Sequence, residues 1–136
     1  PHRPIMIHRA PFGSLERMIG LLTEQYAGAF PFWLSPNQIA ILPIADRHIE
    51  KAQEVAECLR GTIYDTRPLR VSVDERRETL GKKIREAQLQ KTPFMLIIGD
   101  KDLEDGTLGV RSREEGDLGA MTLSDFLGKL PHPSAS

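Results

Sequence analysis

A chain of 136 residues, 40% hydrophobic and 27% charged, has room for one ordinary domain with a core and is too apolar to be disordered. Its formal net charge of −1 gives nucleic-acid binding no bulk electrostatic support, so any such function must rest on a local patch. The one cysteine, Cys58, rules out an internal disulfide framework, and no apolar run reaches the roughly 18–20 residues that span a bilayer, so a reducing cytoplasm is expected and a membrane is not.

"RPIMIHRAP" (3–11) reads as a short strand, with Ile5 and Ile7 alternating against Met6 and His8. "SLERMIGLLTEQYAGAF" (14–30) reads as a helix. Ser14 is its candidate N-cap, Leu15, Met18, Ile19 and Leu22 fall at helical spacing, and Gly28 and Pro31 stop it. "FPFWLSPNQ" (30–38) carries two prolines and three aromatics, which marks a connector, and the domain boundary is placed near Ser35–Pro36.

Beyond the connector the pattern becomes regular. "QIAILPI" (38–44) is a nearly continuous apolar strand, and "RHIEKAQEVAECLR" (47–60) is an amphipathic helix with Ile49, Ala52, Val55, Ala56 and Leu59 on one stripe. Cys58 within it is expected to be a buried small hydrophobe. "GTIYDTRPL" (61–69) is a loop or bulged edge, "RVSVD" (70–74) a short strand, "TLGKKIREAQLQK" (79–91) a helix and "PFMLIIGD" (93–100) a strand buried on both faces. In "LEDGTLGVRSR" (103–113), Asp105-Gly106 between strand-like arms predicts a hairpin. "TLSDFLGKL" (122–130) is a closing helix capped by Thr122, and residues 132–136 are a disordered tail.

Strands that alternate with helices and run apolar throughout predict an α/β sandwich around a mostly parallel sheet, with the hairpin as an antiparallel edge. The expected fold is thus a three-layer α/β domain over 36–131 with a mixed, mostly parallel five-stranded sheet. Residues 1–35 hold one strand and one helix, too little to bury a core, and are expected to be the end of something larger.

Two stretches carry chemistry. In "HRAPFGSLER" (8–17) a Gly-Ser turn opens a helix whose N-terminal N–H groups and dipole favour an anion. Arg17, one turn in, offers a planar guanidinium for a phosphate or a flat ring. His8, on the preceding segment, is a candidate metal ligand or, on the blander reading, an ordinary strand histidine. The second stretch, residues 67–91, gathers Arg67, Arg70, Arg76, Arg77, Lys82, Lys83, Arg85 and Lys91. This is the local basic patch that the bulk charge conceals, or a solvated helix face paired with Glu75, Glu78 and Glu86. Gly81 inside the helix pattern costs about 1 kcal/mol against alanine. A close approach of another backbone, such as RNA, is expected there in preference to a helix start.

"HRAPFGSLERMIGLLTEQYAGAFPFWLSPNQIAILPI" followed by "KKIREAQLQKTPFMLIIGDKDLEDGTLGVRSREEGDLGAM" resembles the threonyl branch of the class II aminoacyl-tRNA synthetases. The likeness runs from the end of the catalytic domain into the anticodon-binding domain, up to about Leu130. It implies that Arg17 is the catalytic motif arginine that lies against ATP, with Ser14 on the same floor, and that His8 is one of three ligands of a zinc ion that holds threonine. It implies anticodon contacts by Arg76, Arg77, Thr79, Arg85, Asp102 and Arg111, reading the G and U shared by threonine anticodons. Asp102 stands where the family has glutamate, Arg77 where it has asparagine and Thr79 where it has lysine.

The resemblance further implies that the whole enzyme, a homodimer, uses ATP and Zn2+ to join threonine to its tRNA. This chain alone is expected to be a monomer that binds neither cofactor and does not activate threonine. A non-catalytic, synthetase-like nucleic-acid-binding or regulatory module is the alternative, against which the presence of both His8 and Arg17 argues. A flavodoxin-like or receiver-like domain, with Asp46 and Asp100 at strand ends, comes third.

Overall fold

Ser14 has an extended backbone, and its hydroxyl oxygen accepts the Arg17 N–H at 3.2 Å, so the first helix, α1 (Leu15–Tyr26), starts at its expected cap. It ends at Ala27, in the left-handed region at φ +49, where the Ala27 and Gly28 N–H groups bond back to Glu24 and Thr23. The computed structural model describes residues 5, 7–10 and 13–131. These fall into two compact units, Pro1–Phe30 and Pro31–Ser136. In the first, α1 buries none of its residues, and Leu15 and Ile19 are exposed. The strand expected over 3–11 is not formed at residues 5 and 7–10, its other positions lying partly outside the described residues. A lone strand has no ladder to satisfy its N–H and C=O groups, so its sequence pattern by itself does not hold it extended. The tail expected over 132–136 lies outside the described residues.

The second unit is built on a five-stranded sheet. Its elements in chain order are β1 (Ile39–Pro43), α2 (Ile49–Arg60), β2 (Ile63–Tyr64), β3 (Arg67–Pro68), β4 (Val71–Val73), α3 (Leu80–Leu89), β5 (Phe94–Ile98), α4 (Asp100–Asp105), β6 (Leu108–Ser112), β7 (Gly116–Met121) and α5 (Leu123–Lys129). The sheet order is β4-β1-β5-β6-β7. β1 pairs in parallel with β4 and β5, and β6 runs antiparallel to both β5 and β7. Four strands therefore point one way and β6 the other, the mixed, mostly parallel sheet expected.

The apolar strands are buried on both faces because helices cover both. Ile39, Ile41, Leu96, Ile98, Leu108 and Val110 pack with Ala52, Val55, Ala56 and Leu59 of α2 and Phe126 of α5. On the other face Ala40, Leu42 and Met95 meet Ala87, Leu80 and Ile84 of α3. Phe32, ahead of β1, joins the first core through edge-on contacts with Tyr64 (5.1 Å) and Phe94 (5.7 Å). Thr122 caps α5 by accepting the Asp125 N–H at 3.2 Å.

Four local expectations are corrected. Asp105-Gly106 does not turn a hairpin: Asp105 ends α4, and Gly106 (φ +66) is its left-handed C-cap. The same positive φ serves a hairpin turn or a helix end, and the acidic "DKDLED" run is held as helix by Asp102, whose carboxylate accepts the Gly99 N–H at 2.8 Å. The antiparallel pair forms one step later, between β6 and β7. Residues 61–69 are a true hairpin, in which Tyr64 pairs Arg67 across a two-residue turn with Asp65 (φ +46) and Thr66 (φ +69) both left-handed. Cys58 is exposed rather than buried, because it falls off the Val55–Ala56–Leu59 stripe. Gly81 lies in the first turn of α3, and a Cβ there would meet nothing within 4 Å, so within this chain it marks a helix start and not a close approach.

Candidate nucleic-acid interface

The parallel strands β4, β1 and β5 end together, and three loops leave from that edge. The β4–α3 loop carries the centre of the basic patch, and the structure sorts its charges into tied and free. Asp74 holds Arg76 by accepting from its N–H (3.1 Å), Nε (2.9 Å) and Nη2 (2.6 Å), and Glu86 of α3 pairs with the same guanidinium. Those bonds, the Arg76 side chain first, hold the Asp74 carboxyl below its ordinary range and push the Arg76 guanidinium up. Lys82 is bonded to Glu78 at 2.7 Å. Lys83 is 4% exposed and donates to the carbonyls of Pro43 (3.0 Å) and Asp74 (3.1 Å), joining the ends of β1 and β4. Arg70 donates to the carbonyls of Ser35 and Trp33.

Arg77 and Arg85 face water. The Arg77 side chain is 87% exposed, with one contact to Asp46 at 3.2 Å. Arg85 is exposed on α3 and makes no ion pair among the described residues. Thr79 is the N-cap residue of α3, yet its exposed hydroxyl makes no cap hydrogen bond.

Arg111 stands apart. Its strand β6 is antiparallel to β5, so it pairs in register with Met95, near the start of β5, and not with the strand ends where Arg77 stands. Leu108 and Val110 point into the core on the α2 side, which leaves Arg111 on the α3 side of the sheet. A register shift between Val110 and Arg111 lies at this point, and its contact with Asp117 is loose at 3.8 Å. Gln88, near the C-terminal end of α3, borders the same cavity as Arg111. The candidate sites therefore follow α3 from Arg77 and Thr79 at its head, past Arg85, to Arg111 at its foot, a run of about 15 Å for a helix of 10 residues.

Asp102 is partly committed elsewhere. One oxygen takes the Gly99 N–H and the other faces Thr107 Oγ1 at 3.5 Å. The two aspartates at strand ends are also paired. Asp46 meets Arg77, and Asp100 accepts from Arg47 Nε at 2.8 Å and meets buried His48 at 2.8 Å. His48 Nδ1 accepts the Ala45 N–H (3.1 Å), which leaves Nε2–H to face Asp100. These bonds, Arg47 first and His48 second, lower the Asp100 carboxyl from 3.8 to about 2.

Sequence reading missed the brace formed by Lys83. Its signal was present, because Leu80, Lys83, Ile84 and Ala87 share one helical stripe and a lysine on an apolar stripe needs buried acceptors.

In the first unit Arg17 is exposed and makes no ion pair among the described residues, and its Cδ would be 3.6 Å from a Cβ at Gly13 (φ +75). Ser14 accepts with its oxygen and keeps its hydroxyl proton to donate. His8 is exposed, and among the described residues no three His, Cys, Asp or Glu side chains converge. One imidazole does not make a zinc site, which needs three or four ligands. No helix among the described residues is long and apolar enough to cross a membrane.

Residues 38–132 match the family model described as the anticodon binding domain. The chain belongs to that family. It is 53% identical over 129 residues to a threonine–tRNA ligase of Desulforamulus reducens, covering 95% of this chain and 20% of that protein. It is 54% identical, with the same shares, to a threonine–tRNA ligase of Acetivibrio thermocellus. The chain thus spans about a fifth of the length of these curated relatives. The RNA binding domain of threonyl-tRNA synthetase from Cryptosporidium parvum superposes with a TM-score of 0.72 at 36% identity, over 86% of this chain and 28% of that one.

Proposed function

We propose that this chain is the tRNA-reading end of a threonine–tRNA ligase and that its second unit binds the anticodon loop along α3. The observation that carries the reading is the sorting of the patch. Arg76, Lys82, Lys83 and Arg70 are tied to the protein's own acceptors, whereas Arg77 stays 87% exposed against one surface contact to Asp46, Arg85 makes no ion pair and Arg111 meets a carboxylate 3.8 Å away, among the described residues. Exposed cations along one helix suit RNA phosphates, and an arginine on an open sheet face suits the Watson–Crick edge of an unstacked base. The family match and the likeness to threonine–tRNA ligases support RNA as the ligand and the G and U of threonine anticodons as what is read.

Within the whole ligase, which joins threonine to its tRNA with ATP, Arg17 would lie against the nucleotide and Ser14 would donate beside it. His8 brings a single donor, and no step of the proposal is routed through zinc. Alone, this chain is proposed to bind RNA as a monomer without activating threonine, and the whole ligase to be a homodimer in the cytoplasm.

Titration of the chain with an anticodon stem-loop over a range of salt tests the reading. Binding should weaken linearly in log salt, and Arg77→Ala and Arg85→Ala should each make the slope shallower by about one. Slopes unchanged in both variants would remove α3 from the interface.

A further inference from the structure

The helix α4 is six residues long and buries none of its side chains. A helix so short is not stable by itself, and without a core stripe it takes its place from contacts at its ends. At its N-terminus those contacts come from one turn of 3-10 helix, Asp46–His48, which follows β1. His48 is 1% exposed, and its Nδ1 accepts the Ala45 N–H at 3.1 Å, which fixes the ring and leaves Nε2–H for Asp100 Oδ1, 2.8 Å away. Arg47, itself exposed, grips the same carboxylate with Nε at 2.8 Å. Beside them Ile44 lies over Gly99, where an added Cβ would stand 2.8 Å from Ile44 Cδ1.

The turn that Asp100 opens also carries Asp102. One Asp102 oxygen accepts the Gly99 N–H at 2.8 Å, and the other stands 3.5 Å from Thr107 Oγ1 with lone-pair capacity for a further donor, such as an N–H on a base edge. Because α4 puts no side chain into the core, a shift of this helix would leave the core intact and displace Asp102. A recognition group has to be held to within about 0.5 Å by its supporting contacts. The two grips on Asp100 differ in what they hold. An exposed arginine pair contributes little, whereas a buried imidazole bonded at both nitrogens keeps one geometry. Asp46, in the same turn, meets Arg77 at 3.2 Å, so all three side chains of the turn reach loops that carry candidate anticodon residues.

We propose that His48 is a positioning residue for anticodon reading: by holding Asp100 it sets the start of α4 and so the place of the Asp102 carboxylate. The inference rests on the anticodon-reading function, takes Asp102 as an acceptor for a base N–H, and adds a residue that touches no RNA itself.

The test compares equilibrium binding of the whole chain to an anticodon stem-loop whose anticodon ends in GU and to one with those two bases exchanged, with thermal melting of every variant. Asp100 is exposed, so Asp100→Ala removes the grip without opening a cavity, whereas Asp100→Asn keeps an oxygen for the His48 Nε2–H. His48→Leu fills the site and removes both bonds. Where it melts too low to assay, Asp100→Ala decides. The GU preference of the parent should fall about fivefold in Asp100→Ala and in His48→Leu, with the salt slope unchanged because the cations along α3 are untouched, and should stay within about twofold in Asp100→Asn. In an Asp102→Ala background, where the preference has already fallen, Asp100→Ala should cost nothing more. A preference that survives Asp100→Ala, or that survives Asp102→Ala, would overturn the proposal and leave anticodon reading to stand without it. So would a further loss in the Asp102→Ala background, because the grip would then act elsewhere. A parent that does not distinguish the two RNAs would remove both readings.

Discussion

Lys83 reaches across the end of the sheet to the Pro43 carbonyl, 3.0 Å from its Nζ and forty residues away in sequence. The same nitrogen takes the Asp74 carbonyl at 3.1 Å, so one side chain of α3 closes the gap between β1 and β4. Lys83→Ala should lower the unfolding free energy by about 2–4 kcal/mol in denaturant titration, from lost packing and two unpaired carbonyls. A loss below about 0.5 kcal/mol would mean that water replaces the brace without cost.

Acid should weaken the same end of the sheet. With its carboxyl lowered from 3.8 to about 2, chiefly by Arg47, Asp100 favours the folded state while ionised. That contribution is present above about pH 4 and is lost as pH falls towards 2. Asp100→Asn should flatten the dependence of stability on pH across that window and leave its shape above pH 5 unchanged. Parallel curves for parent and variant between pH 4 and 2 would contradict the assignment.

Gly81 separates stability from binding. Its added Cβ would meet open space in the first turn of α3, so Gly81→Ala should stabilise the chain by about 0.5–1 kcal/mol. If RNA backbone passes over that turn, the same variant should bind the stem-loop less tightly. A more stable variant with undiminished affinity would place the RNA away from the head of the helix.

The hairpin at 61–69 holds a β-branched residue where glycine is favoured. Thr66→Gly should raise the melting temperature, in line with relief of about 1 kcal/mol of left-handed strain at φ +69. A lower melting temperature would show that the Thr66 side chain contributes more than its backbone costs.

The long, strongly patterned pieces were legible in the sequence. The stripe of α2, the unbroken apolar runs of β1 and β5 and the hydroxyl caps Ser14 and Thr122 each follow from one local rule. What escaped depended on context. Gly106 has the dihedral a hairpin turn wants, but the Asp102 carboxylate on the Gly99 N–H makes "DKDLED" a helix, so the same glycine became its end. Asp65 tolerates a positive φ, but β-branched Thr66 beside it conceals the tight turn.

At the candidate site, residue type and order were readable and commitment was not. Arg76 and Arg77 are neighbours of equal charge in sequence, yet Asp74 and Glu86 tie the first while the second stays 87% exposed. The distinction depends on Glu86, ten residues on, swinging onto Arg76 when α3 packs.

The most direct measurement of the central claim is a competition between two anticodon stem-loops for this chain, one ending its anticodon in GU and one with those two bases exchanged. The account predicts a preference of about tenfold or more for GU, reduced in Arg111→Ala while the salt slope contributed by Arg77 and Arg85 remains. Equal affinity for the two loops, with Arg111→Ala behaving as the parent, would show that this chain holds RNA without reading it.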